Sequence, residues 1–439
     1  MLQSTKNKIY SLCSLRWTFM LGLLLVVSGL QASDILNQLK ALPGISQITT
    51  LKSEVYPEKY ELFIDQALDA KNPSAGSFKQ RVIVGHVGVD RPTVIVTEGY
   101  AAGYATHPRY EEELTRLLNA NLIFVEYRYF DKSTPSPCQW EYLTVENSMY
   151  DLHKVTTTFK QLYKNKWIAT GISKGGQTAM CYRAFFPEDV DITVPYVGPL
   201  SKALVDGRHE PFIAKKVNTK EGREKVKAFQ TEVLKRKITM MPLFRNYCEA
   251  HNYKFRAPYE EIFDLVVMEY SFAFWQWGTP LSTIPACEND NQTLFNHLIE
   301  VSEPNYFAQG SPTLSFFVQA AKELGYYGYD IRPFKKYLTI RNGKDYLQRL
   351  MLPEELEGIP FDKTLYKKTK RFLKKNDLPM IFIYGEDDPW TASGVTWLKS
   401  KKEMKCYILP GGSHRTRISS FDKSTREEIM KTLQTWLAE

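Results

Sequence analysis

Short apolar runs closed by turn residues alternate with stretches of helical periodicity along the first half of the chain. Residues 60–64, 80–87 and 93–97 read as strands, because β-branched and aromatic residues dominate each run. The last two flank Asp90-Arg91-Pro92, which predicts a leading hairpin feeding a sheet. A helix over about 111–120, a strand over 121–127, a helix over about 147–163, a strand entering Ser173, a helix reaching Pro187 and a strand over 191–197 follow. Strands alternating with helices predict a mostly parallel sheet joined by crossover helices, an α/β architecture.

The alternation stops at Val197. About 180 residues separate it from the next strand-like run at 379–384, whereas connections inside a compact domain are usually about 4–6 residues. An inserted module must fill the interval. Its periodicity is helical over 224–236, 259–273, 294–301 and 314–324, and it carries the aromatic cluster Tyr270, Phe272, Phe274, Trp275 and Trp277. Such a cluster is either plain core or the inner wall of a lid over a cleft. The sheet resumes at 379–384 and 405–409, and a helix over about 424–437 closes the chain. The pattern divides the protein into a first core segment (33–204), a helical cap (205–370) and a second core segment (371–439).

Composition adds an address and removes some partners. Lys6, Lys8 and Arg16 precede an apolar run over 19–27, and Leu30-Gln31-Ala32 offers a cleavage site, so residues 1–32 read as a secretory signal peptide. The run is too short to span a bilayer comfortably and no basic cluster follows it. The expectation is a secreted or periplasmic protein without stable membrane association. The formal charge of +8 falls to about +5 without the leader, and no basic block interleaved with aromatics stands out; 363–375 reads as a solvated helix face, so nucleic acid is not expected as a partner. Of six cysteines, Cys13 lies in the leader; Cys138, Cys181, Cys248, Cys287 and Cys406 show no C-x-x-C or metal spacing, so no metal and no cofactor are expected. Cys248 and Cys287, both in the middle region, form the candidate disulfide.

The chemistry concentrates at Trp167-Ile168-Ala169-Thr170-Gly171-Ile172-Ser173-Lys174-Gly175-Gly176-Gln177, where an apolar strand runs into G-x-S-x-G and then a helix. Gly171 and Gly175 lack Cβ atoms, so the chain can turn sharply and lift Ser173 to the tip of the turn as a nucleophile. A plain glycine-rich turn, or a phosphate cradle, fits the same five residues. A serine hydroxyl needs a base and a group that fixes the base. Both occur in the order Ser, Asp, His: Tyr384-Gly385-Glu386-Asp387-Asp388-Pro389-Trp390 follows one late strand and Leu409-Pro410-Gly411-Gly412-Ser413-His414 follows the next. Only one of the adjacent Asp387 and Asp388 can meet His414. Oxyanion stabilisation needs two backbone N–H groups, one from Lys174 and one from Gly99 or Tyr100, with Tyr100 the candidate; the Lys174 side chain, solvated or packed, has no catalytic role.

With these residues assembled, the chain resembles the secreted tripeptidyl aminopeptidase family of bacterial serine peptidases, related to the prolyl carboxypeptidase and dipeptidyl peptidase II group. The resemblance runs through Thr97-Glu98-Gly99-Tyr100, Glu126-Tyr127-Arg128-Tyr129-Phe130, Trp140-Glu141-Tyr142-Leu143-Thr144, Gly171 to Gly176, Phe186-Pro187-Glu188-Asp189-Val190-Asp191, Phe274-Trp275-Gln276-Trp277-Gly278, Gln319-Ala320, Glu323-Leu324-Gly325-Tyr326, Asp388-Pro389-Trp390 and Gly411-Gly412-Ser413-His414. It implies an α/β-hydrolase core with an inserted, mainly helical cap, and it selects Asp388, the Asp directly before Pro-Trp, as the acid. It further implies release of short peptides, commonly tripeptides, from free N-termini, with proline favoured at the cleaved bond in some members. A secreted esterase or lipase with the same triad, or an inactive peptide-binding relative, is the alternative.

An aminopeptidase must hold its substrate's ammonium, and burying that charge is costly unless a carboxylate meets it. Glu126, at the end of a core strand, and Glu269, in the helix leading to Trp275 and Trp277, are the candidate anchors. Trp275 and Trp277 are candidate walls of the peptide cleft.

Overall fold

The computed structural model describes residues 34–439, so the expected leader lies outside the described residues. The strand-forming runs assemble into one nine-stranded sheet. Its members are β1 (Ile45–Leu51), β2 (Glu58–Ala67), β3 (Ser77–His86), β4 (Thr93–Thr97), β5 (Asn121–Val125), β6 (Trp167–Ile172), β7 (Ile192–Tyr196), β8 (Met380–Gly385) and β9 (Met404–Leu409). They lie in the order β1-β2-β3-β5-β4-β6-β7-β8-β9. The first three strands and the β3–β5 pair are antiparallel, and every pairing from β5 through β4 to β9 is parallel. Residues of β4, β5, β7 and β8 are buried throughout, as parallel strands covered on both faces must be.

One expectation is corrected by this order. The runs on either side of Asp90-Arg91-Pro92 are not hairpin partners, because β5 lies between β3 and β4 and pairs with both. The true hairpin joins β2 to β3 in continuous register from Glu58 opposite His86 to Ala67 opposite Ser77. A tight turn between two strands does not oblige them to pair when a third strand is buried more completely in the gap. The edge strand β1, whose half-exposed sequence carries little apolar signal, adds to β2 with a break in register between Ser46 and Thr49.

The helices are α1 (34–41), α2 (Glu113–Leu118), α3 (Val145–Phe159), α4 (Lys174–Phe185), α5 (His209–Lys215), α6 (Lys220–Lys235), α7 (Lys237–Ala250), α8 (Tyr259–Trp277), α9 (Asn291–Val301), α10 (Leu314–Gln319), α11 (Thr364–Lys375) and α12 (Lys423–Ala438). Thr144 caps α3 by accepting from the Asn147 amide, and Asp422 caps α12 by accepting from Thr425. Helices α5 to α10 build the cap, whose aromatic core is continuous with Tyr127, Tyr129, Phe130 and Trp390 from the sheet's loops. Helix α7 keeps helical geometry around Pro242, which hides it from periodicity; its buried Met240, Phe244 and Cys248 anchor it. Helix α11 spans residue 370, buries Leu365, Thr369 and Leu373, and packs on α4 as the crossover into β8. The five cysteines among the described residues are free thiols, so Cys248, buried in α7, and Cys287 do not form the expected bridge.

A charged pair ties the first core segment together. Arg128 is fully buried, donates to both Asp151 oxygens at 2.7 and 2.8 Å, and donates to the carbonyls of Ala67, Leu68 and Tyr142. Removing one partner of such a pair leaves an uncompensated buried charge. Asp151→Ala is therefore expected to lower stability by about 3–5 kcal/mol. A denaturant midpoint close to that of the wild type would show that the pair contributes little.

Candidate active site

Five parallel strands, β4 and β6 to β9, point their C-terminal ends to one edge, and each emits a loop that carries a candidate residue or packs on one. At the end of β6 the chain turns through Ser173, whose backbone sits at φ 59° and ψ −119°, outside the regions a serine ordinarily occupies. Its amide donates to the Tyr196 carbonyl at 2.9 Å, which locks the turn to the end of β7. A Cβ on Gly171 would come within 2.5 Å of the Gly175 carbonyl oxygen, and one on Gly175 within 2.5 Å of the Glu98 carbonyl oxygen. Only glycine permits this approach. The half-buried Ser173 side chain stands beside the Tyr100 hydroxyl.

His414 and Asp388, the candidate base and acid, are brought together. His414 Nδ1 lies 2.6 Å from Asp388 Oδ2, and the other Asp388 oxygen accepts from the Trp390 amide at 3.0 Å. Both residues are buried, and His414 Nε2 has no partner among the described residues. The loops carrying them are pressed together, since a Cβ on Gly385 would meet the Ser413 carbonyl oxygen at 2.4 Å. Asp387 points elsewhere. It accepts from the backbone amide and the side-chain amide of Asn218, both at 2.7 Å, and so fastens the base of the cap to the sheet edge. Arg417 folds back over Tyr196 and donates to the His414 carbonyl at 3.2 Å, steadying the same loop.

The cap closes the other side. The C-terminal end of α8 reaches the His414 loop, where the His414 amide donates to the Gln276 carbonyl at 2.9 Å. Gly278 ends the helix at φ 66° with no room for a side chain against Ser413. Between cap and core lies a cleft of about 380 Å³ whose wall includes Tyr100, Ser173, Glu269, Trp277, Tyr326 and Trp390. From α8 it receives Glu269, Ala273, Gln276 and Trp277, which lie on one helix face at the i, i+4, i+7, i+8 spacing. Met268, Phe272 and Trp275 lie on a neighbouring face and line a separate cavity of about 540 Å³ in the cap. Trp275 and Trp277 therefore diverge, because two residues along a helix turn about 200°. Trp277 is exposed at the mouth, edge-on to His414 with ring centroids 5.9 Å apart.

The two candidate anchors also part company. Glu126 is fully buried away from the cleft, paired with Arg81 and accepting from the Ala102 amide and the Ser133 hydroxyl at 2.8 Å each, so its oxygens are already used. Glu269 faces the cleft. Its carboxylate accepts from the Tyr327 hydroxyl at 3.1 and 3.0 Å and the Tyr329 hydroxyl at 2.8 Å, with no basic side chain paired to it among the described residues. Burial pushes its pKa up to about 8, against the hydrogen bonds from the two tyrosines. Those tyrosines were not singled out from sequence, although Tyr326-Tyr327-Gly328-Tyr329 is a visible aromatic run. Of the two places open to the Lys174 side chain, the structure shows the packed one: it is buried under the Ser173 turn and donates to the Gly99 carbonyl at 2.6 Å. The backbone N–H of Lys174 opens α4, where first-turn donors lack intrahelical acceptors.

Comparison with known proteins bears on the family of the whole chain. A prolyl tri/tetrapeptidyl aminopeptidase of Streptomyces mobaraensis is 26% identical over 416 residues, spanning 92% of this chain and 85% of that protein. Among solved structures, a proline iminopeptidase of Mycobacterium smegmatis overlaps with a TM-score of 0.40 at 12% identity, covering 89% of this chain and 99% of that one. A monoacylglycerol lipase of Paleococcus ferrophilus overlaps at 0.34 and 12%, covering 82% and 98%. Overlap this low carries no argument, and the α/β-hydrolase assignment rests on the sheet order and the turn at Ser173. The family described as PS-10 peptidase S37 matches residues 29–436, nearly the whole chain, and the protein belongs to that family of serine peptidases.

Proposed function

We propose that this serine peptidase is an aminopeptidase that releases short peptides, tripeptides above all, from free N-termini through an acyl-enzyme formed on Ser173. Ser173 Oγ attacks the scissile carbonyl while His414 Nε2 takes its proton. Asp388 holds the Nδ1–H and offsets the imidazolium charge, and the backbone N–H groups of Lys174 and Tyr100 receive the oxyanion. His414 then returns the proton to the leaving amine, and water repeats the sequence to free the acyl product. The observation that carries the exopeptidase reading is Glu269, a buried carboxylate without a cation, in the wall of the cleft that holds Ser173. An arriving ammonium supplies the missing charge. The aromatic wall near Ser173, with Tyr100, Tyr326 and Trp390, supports a preference for proline at the cleaved bond, as does the printed name of the Streptomyces relative. Secretion or export to the periplasm, read from residues 1–32, belongs to the same proposal, with peptides as partners and neither nucleic acid nor a membrane engaged.

Ser173→Ala is expected to stay folded and to lose turnover by roughly 10⁶-fold, since the triad acts as one unit. Asp388→Asn is expected to lose about 10⁴-fold, as the imidazole is left in the wrong tautomer. Asp387→Asn touches only the Asn218 clasp and should keep most of kcat. Single-turnover assays decide, and a Ser173→Ala enzyme with a tenth of wild-type activity would end the assignment.

Glu269→Gln is expected to weaken hydrolysis of free-N-terminal peptides by about 2–5 kcal/mol in kcat/KM while sparing a small activated ester. The carboxylate is neutral below its pKa of about 8, so kcat/KM for peptides should rise with pH toward that value. A second limb should cut in as the substrate ammonium, with a pKa of about 7.7–8.0, loses its proton. The rising limb that is specific to peptides should vanish in Glu269→Gln. Equal losses on ester and peptide, or efficient cleavage of N-acetylated peptides, would favour an esterase or an endopeptidase instead.

A further inference from the structure

The side chain of Lys174 is a further element of the Ser173 turn, outside the triad. It leaves the first residue of α4, runs beneath the turn and is 2% exposed. Its Nζ sits 3.1 Å from the Tyr127 ring centroid, with the Tyr100 and Phe130 rings at 5.7 and 5.5 Å, and has one hydrogen-bond acceptor among the described residues, the Gly99 carbonyl at 2.6 Å. Ordering a lysine in an aromatic cage costs rotamer freedom and hydration. A surface position would have avoided both costs.

The acceptor it holds explains the cost. Gly99 C=O and Tyr100 N–H belong to one planar trans peptide, so they point in opposite directions. Drawing the oxygen down to Nζ turns the N–H of Tyr100 up, away from the cage. The next peptide is pinned too, because the Tyr100 carbonyl accepts from the Tyr127 amide at 3.1 Å. Gly99 lies at φ 85° and is packed so tightly on the turn that a Cβ there would meet the Gly175 nitrogen at 2.9 Å and Lys174 Cγ at 3.1 Å. Both peptide planes around Tyr100 are thus fixed, one by the side chain and one by the strand-end ladder.

We infer that the Lys174 side chain is a positioning residue for the oxyanion site: by holding the Gly99 carbonyl it aims the Tyr100 N–H at the tetrahedral intermediate formed on Ser173. One residue then serves both halves of the site, its own backbone N–H being the first donor and its side chain orienting the second. Burial lowers the pKa of Lys174 well below its ordinary value, against the attraction of Glu98 and Glu323. Donation to a carbonyl needs only an N–H, which ammonium and amine both carry, so the arrangement survives either state.

This inference rests on Ser173 as nucleophile, and its test separates the two. Lys174→Met keeps the aliphatic stem in the cage and removes the donor. Its kcat is expected to fall about 10²–10³-fold, the loss typical of one oxyanion donor, on peptide and small ester alike. KM should hold within about two-fold. Affinity for a peptide boronate, whose tetrahedral adduct mimics the intermediate, should drop by the same factor as kcat/KM. Binding of a peptide to Ser173→Ala/Lys174→Met should equal binding to Ser173→Ala. A rise in KM with kcat retained, or equal losses of boronate and ground-state peptide binding, would overturn the inference and make Lys174 a packing residue. If Lys174→Met does not fold, the wild type decides: on binding the boronate, the Tyr100 amide proton should move downfield as it bonds the oxyanion, and an unmoved resonance rejects the role. A Ser173→Ala enzyme that remains active would instead remove the nucleophile and leave the geometry of Lys174 intact.

Discussion

The arrangement at the sheet edge depends on how closely the backbone after β6 approaches the backbone after β4. The Ser173 turn lies against the Thr97–Gly99 segment with no volume for a side chain at Gly175 or Gly99. That contact forces Ser173 into its positive-φ conformation, starts α4 directly behind it, and brings Lys174 under Gly99. The strain of one residue is held by packing on every side: the Tyr196 carbonyl on the serine amide, two glycines in van der Waals contact, and a lysine filling the space below.

The cap extends the same logic from rigidity to selectivity. Helix α8 presents two different faces, one to the cleft and one to the cap's own cavity, and its C-terminus is tied to the His414 backbone through Gln276. Asn218 fastens the start of the cap to Asp387, the neighbour of Asp388, which is hydrogen-bonded to His414. The cleft-facing residues of α8 and the His414–Asp388 pair are consequently set in register by short polar contacts across the seam. Glu269 lies in the cleft wall with two tyrosine hydroxyls on its carboxylate and no basic side chain paired to it among the described residues, and burial raises its pKa to about 8.

The contrast between Glu126 and Glu269 shows where one-dimensional reasoning stops. Both are glutamates beside motif residues, and nothing in their local sequence distinguishes them. Glu126 is consumed by Arg81, a residue of a strand 45 positions earlier, and Glu269 is left unpaired by tyrosines some 58 to 60 positions later. The pairing of a buried charge is a long-range property, and the difference in role follows from it.

The chain's periodicities determined the α/β alternation, the inserted helical module and the strand ends that carry Ser173, Asp388 and His414, because strand and helix repeats and glycine-dependent turns are local properties of a chain. The choice between Asp387 and Asp388 was legible only through the resemblance carried by Asp-Pro-Trp. Tertiary structure alone decided that β5 separates β3 from β4, that α7 survives Pro242, and that Trp275 and Trp277 face different cavities. It also decided that the Lys174 side chain, next to Ser173 and open from sequence to either solvation or packing, is buried. Each of these depends on which surfaces meet after the chain has folded, and the free energy of burial and of pairing buried charges is a function of those surfaces rather than of neighbours in sequence.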